Sequence, residues 1–145
     1  MRKFLFILIM LPDLLLGQRD STKQTFKIGD RRVVLLAGKN IYFENHPLPI
    51  SELIKGGRLK LFGYGDSTTV VSYIVSYSLP NYFSDRFVSG SIFPKGLIDT
   101  LQEGCRSMAY LTTSSGIWII IKNIVCRSKD GTLLNVAGIV LKIVN

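Results

Sequence analysis

Side chains that carry out chemistry are scarce in this chain. It holds one histidine, His46, two cysteines, Cys105 and Cys126, and one tryptophan, Trp118. A zinc site would need carboxylates to complete it, because His46 has no second histidine and no acidic pair has ligand spacing. A serine hydrolase would have to use His46 as base, yet no serine sits in a Gly-x-Ser-x-Gly elbow. The glycine-rich "GYGD", Gly63 to Asp66, lacks the Lys-Ser/Thr and following helix of a phosphate loop, and reads as a turn. Glu52, Asp66, Asp85 and Asp99 fall in unrelated segments and read as solvated turn and helix-start residues, and His46 as a loop residue before Pro47. The expectation is a protein without catalytic residues, cofactor or metal.

Acidic residues are also few, 10 against 18 Lys and Arg, for a formal net charge of +8. The basic residues are scattered, with only Arg31 and Arg32 adjacent in the body of the chain, whereas a nucleic-acid footprint concentrates them on one face or helix. No nucleic-acid partner is expected.

Long apolar runs are missing except at the start. There Arg2 and Lys3 precede Phe4 to Leu16, then Gly17 and a polar stretch, which is the layout of a signal peptide. An uncleaved anchor is the competing reading. As a helix the run rises only about 20 Å against about 30 Å of hydrocarbon, and Asp13 interrupts it. Residues 1–17 are read as a signal peptide, 18–30 as a polar linker and 31–145 as one domain, periplasmic or secreted. No cysteine lies near the signal, so a lipid anchor on an N-terminal cysteine is excluded. In an oxidising compartment Cys105 and Cys126 can form a disulfide closing a loop of about 20 residues, worth about 3 kcal/mol, or remain two buried thiols.

Strand patterns dominate what is present. Val71, Tyr73, Val75, Tyr77 and Leu79 alternate with Val70, Ser72, Ile74, Ser76 and Ser78, the period-two signature of a strand rich in β-branched and aromatic residues. Ile117 to Arg127 is apolar on both faces around Trp118, which implies burial on both sides or a dimer contact, with Trp118 read as core. Asp130-Gly131 signals a two-residue hairpin between this strand and Thr132 to Val144. A single helix is expected from Pro94 to about Met108, since Leu97, Ile98, Leu101 and Cys105 recur at helical spacing. "PNYFSD" reads as a loop with Tyr82 and Phe83 at its tip, either folded back under it or offered as a partner contact. The count is about seven short strands and one short helix, an all-β, two-layer Ig-like β-sandwich.

Four blocks in order, "PISELIKGG" (Pro49 to Gly57), "VVSYIVSYSL" (Val70 to Leu79), "VSGSIF" with "GLIDTL" (Val88 to Leu101) and "IIIKNIVCRSKDGTLLNVAGIVLKI" (Ile119 to Ile143), resemble the C-terminal domain of GldM, the gliding-motility and type IX secretion protein of Bacteroidetes. The most specific are Asn123-Ile124, Asp130-Gly131-Thr132 and the closing strand Gly138 to Ile143. Three features depart from that family: a single domain behind a signal peptide replaces a transmembrane helix and several periplasmic domains, Lys129 stands where a proline usually precedes the turn Asp, and the loop at Thr112 to Gly116 is longer. The resemblance implies an exported, non-enzymatic module that binds a protein of the cell envelope and can form a homodimer through a sheet edge. A free-standing secreted structural or adhesive domain, meeting acidic surfaces through its positive charge, is the alternative.

Overall fold

The structure, a computed structural model, describes residues 31–109 and 116–145. The signal peptide and linker expected over 1–30, and most of the loop expected at 112–116, lie outside the described residues.

The described chain is an all-β sandwich of two sheets, carrying one helix of several turns and one short helix. In order the elements are β1 (Arg32–Ala37), β2 (Asn40–Tyr42), β3 (Pro47–Pro49), α1 (Ile50–Ile54), β4 (Gly57–Phe62), β5 (Thr69–Leu79), β6 (Tyr82–Ser89), α2 (Lys95–Ala109), β7 (Gly116–Arg127), β8 (Leu133–Val136) and β9 (Ile139–Val144). The small sheet runs β2-β1-β4 and is antiparallel. The large one runs β3-β9-β7-β5-β6, with β8 also paired to β7.

Among the described residues nine strands replace the seven expected, for two physical reasons. Pro47-Leu48-Pro49 pairs parallel with β9 at the sheet edge, where a missing N–H is tolerated. The closing strand is also cut in two: Ile124 pairs with Val136 and Ile121 with Ile139, but Ala137 and Gly138 leave the ladder opposite Asn123, whose φ is 51°. A side chain at Gly138 would run into the backbone carbonyl of Ile121.

The alternation read from the sequence sets the inner face of the large sheet. Tyr73, Val75 and Tyr77 of β5 are buried, with Ile117, Ile119 and Ile121 of β7 and Ile139, Leu141 and Ile143 of β9 beside them. Two covers share this face. Helix α2 lies over the end near Gly116, with Gly104 against Leu79 and Ile117. Its expected stripe, Leu97, Ile98, Leu101 and Cys105, is buried in the core, together with Val33, Leu35 and Ala37 of β1. After Gly90 (φ 83°) the chain passes from β6 to the small sheet, where Leu59 N–H donates to Ser91 O and Phe93 N–H to Gly57 O.

The β7–β8 turn differs from the expected two-residue form. Only Gly131 takes a positive φ there, at 88°, and Ser128 and Thr132 close a longer loop. Asp130 Oδ1 accepts from Thr132 N–H at 3.0 Å and from the Ser128 hydroxyl, so the carboxylate stabilises the turn that a second left-handed residue would otherwise form.

Candidate protein-docking surface

Tyr82 and Phe83 are not in a loop. The connection is two residues long, Pro80 and Asn81, and β6 begins at Tyr82. Proline fixes its own φ and Asn81 accepts a φ of 63°, a pairing used in type II turns, so the hairpin closes without glycine. The expected loop therefore becomes strand, and the two aromatics point to opposite faces. Tyr82, paired with Leu79, turns toward α2, where Leu79, Pro80, Asp99, Thr100 and Glu103 line a groove with it. Its ring meets that of Tyr77 edge-on at 6.2 Å. Hydrogen bonds with Ser84 first and Tyr77 second hold its phenol below the ordinary value.

Phe83 faces the opposite way, onto the outer face of the large sheet, and is 65% exposed. Phe87 lies two pleats along β6 on the same face at 68%, because side chains repeat every second residue. On β7 the same face carries Ile120 and Trp118, the latter 49% exposed. The expectation that β7 is buried on both sides, with Trp118 in the core, is thus corrected, while its alternative, a dimer contact, stays open: Ile117, Ile119 and Ile121 face inward, as do Ile124 and Cys126 beyond the irregularity at Asn123, and no described element covers Trp118 and Ile120. Lys142 of β9 pairs with Trp118 and holds its ammonium 5.8 Å from the ring centroid.

A polar strip divides these apolar pairs. Ser76 is outward on β5 yet only 1% exposed, because Asp85 and Lys122 close over it. Its hydroxyl donates to Asp85 Oδ1 at 2.5 Å, and Lys122 Nζ sits 3.0 Å from Asp85 Oδ2. The Ser76 hydrogen bond first, and Lys122 second, hold the Asp85 carboxyl below its usual value. Side chains from three strands are thereby linked on the open face.

The cysteines are both free and buried, so the disulfide alternative is not realised. Cys105 lies at the Gly116 end of β7, where its carbonyl accepts from Asn145 Nδ2 at 3.3 Å. Cys126 lies ten residues further along β7, about 33 Å at 3.3 Å per residue, far beyond the roughly 7 Å Cα limit of a bridge. Burial pushes both thiols above their ordinary value.

His46 lies between a turn and β3, as a loop residue before Pro47, with its ring edge-on to Phe43 at 5.8 Å. Among the described residues no group of three or more His, Cys, Asp or Glu is placed to hold a metal ion. Nor is any described helix long and apolar enough to cross a membrane. In comparisons with known proteins, no family model, no curated protein and no solved structure matches the chain.

Sequence reasoning missed Phe87, Ile120 and Trp118 as parts of this surface. The signal was present, since Phe87 is four residues from Phe83 and Trp118 two from Ile120, so a strand reading of each segment puts each pair on one face. What was lacking was the knowledge of which face the rest of the chain would cover.

Proposed function

We propose that this chain is an exported, non-enzymatic protein-binding module of the bacterial cell envelope, similar in kind to the C-terminal domain of GldM and associated with gliding-motality or type IX secretion machinery. The observation that carries the reading is the open face of the large sheet. Phe83, Phe87 and Trp118 together leave about 350 Å² of aromatic surface in water, taking roughly 200 Å² per side chain. Phe and Trp are among the residues enriched where proteins meet, so two apolar pairs flanking a polar strip suit a protein interface. The Ser76–Asp85–Lys122 strip adds directional polar contacts, so a partner would be selected by register as well as by burial.

The test is a pull-down from envelope extracts with the tagged protein and with a Phe83→Ser/Phe87→Ser double variant. Recovery of a secretion or motility component by the parent and its loss with the variant is the expected outcome. If the parent recovers no such component, or the variant recovers as much, the reading fails. The amino terminus of the protein exported by its host, read by mass spectrometry, checks cleavage after Gly17.

A further inference from the structure

A second feature lies away from the aromatic face, where the start of the small sheet meets the interruption between β8 and β9. A cleft of about 400 Å³ opens there, within the range of ligand sites. Its apolar lining comes from Val33, Phe43, Val136 and Ile139, all of them buried. Arg31, Arg32 and Glu44 add formal charges that sum to +1. Arg31 is held in place by Tyr64, whose ring centroid is 5.5 Å from the guanidinium carbon. Stacking occupies the face of a guanidinium and leaves its in-plane N–H fork available, which matches a carboxylate bidentately.

The fourth wall is backbone. Ala137 and Gly138 stand out of the ladder and form that side of the cleft. Apolar surface, an oriented guanidinium and a stretch of backbone outside the sheet ladder are the three elements that read an extended chain at its carboxyl end.

We infer that this cleft binds the C-terminal carboxylate of an extended polypeptide whose last side chain is apolar, with Arg31 holding the carboxylate and Val33, Phe43, Val136 and Ile139 receiving the side chain. The site is separate from the aromatic face and does not depend on it.

The test uses the full-length chain, 15N-labelled, titrated with acetyl-Gly-Leu-Leu as the free acid and as its C-terminal amide. The acid is expected to give saturable shifts at the amides of Val33, Gly138 and Ile139, and to bind at least tenfold more tightly than the amide. Arg31→Gln, at an exposed position, is expected to weaken the acid about tenfold, the loss typical of one charge-assisted hydrogen bond. The Phe83→Ser/Phe87→Ser variant should bind the peptide as the parent does, which separates this site from the proposed docking face. Equal affinity for acid and amide, no shifts at the cleft up to millimolar peptide, equal binding of acetate alone, or an Arg31→Gln variant that binds unchanged would each overturn the inference.

Discussion

Replacing Tyr73 by phenylalanine should make this protein more stable. Tyr73 is fully buried in the middle of β5, 5.7 Å from the ring of Phe93, and its hydroxyl finds no hydrogen-bond partner among the described residues. An unpaired buried hydroxyl costs about 1–3 kcal/mol, whereas the oxygen's lost dispersion contacts are worth about 0.1–0.2 kcal/mol each. The net expectation for Tyr73→Phe is a gain of about 1 kcal/mol, or about 4 °C in melting temperature for a domain of this size. A second consequence separates this account from a general packing effect. Burial raises the phenol above its unfolded value of about 10, so above that pH the unfolded chain sheds a proton that the folded chain keeps. The stabilising difference is complete below pH 10 and declines as pH rises toward the folded value. Between pH 9 and pH 11 the parent should therefore lose about 1.3 kcal/mol more than Tyr73→Phe. Urea unfolding of both proteins at the two pH values measures both effects. A variant less stable than the parent at pH 7, or one with the same loss at high pH, would show that the hydroxyl is bonded and the reasoning mistaken.

Gly138→Ala puts a methyl group into the Ile121 carbonyl and should cost about 3 kcal/mol, visible as a lowered urea midpoint or as failure to fold, whereas Gly65→Ala, at a site with open space around it, should cost only its backbone strain. Asp130, held low by the Ser128 hydroxyl and the Thr132 backbone N–H, should titrate at about 2 when its carboxyl carbon is followed by NMR. Because the folded values of Asp130 and Asp85 are both depressed, their stabilisation is present above the unfolded value and disappears as pH falls through the folded one. Asp85→Asn should consequently flatten the acid limb of the stability curve. Two free thiols should be counted by a thiol reagent in denatured, unreduced protein and neither should react promptly in the native state, while a count of zero would mean a bridge.

The sequence was most legible where one face of an element is buried and the other is not. β5 and α2 were read almost to the residue, because Tyr73, Val75 and Tyr77 repeat every second position and Leu97, Ile98, Leu101 and Cys105 at helical spacing. The same logic misled on β7. Two of its outward residues, Trp118 and Ile120, are as apolar as its inward ones, and periodicity cannot say which of two apolar faces will be covered. The remaining misreadings came from single residues that do unusual conformational work. Proline and asparagine at 80–81 make a two-residue reversal where a longer loop was expected, and Asp130 uses its side chain in place of a left-handed backbone.

Local departures from the expected strand pattern generate both proposed surfaces. The tight 80–81 reversal keeps Phe83 and Phe87 in one regular strand, so they share a face with Trp118 and Ile120 instead of collapsing under a loop. The break at Ala137 and Gly138, required by the left-handed Asn123 and the Ile121 carbonyl opposite, leaves one wall of the arginine-lined cleft as backbone. An uninterrupted, strictly alternating hairpin from 116 to 144 would bury its inner face equally well, but it would lose this wall. The local departures from ideal strand geometry are therefore where functional variants should be sought first, since a substitution that restores ideal pairing there would gain regularity at the expense of a binding site.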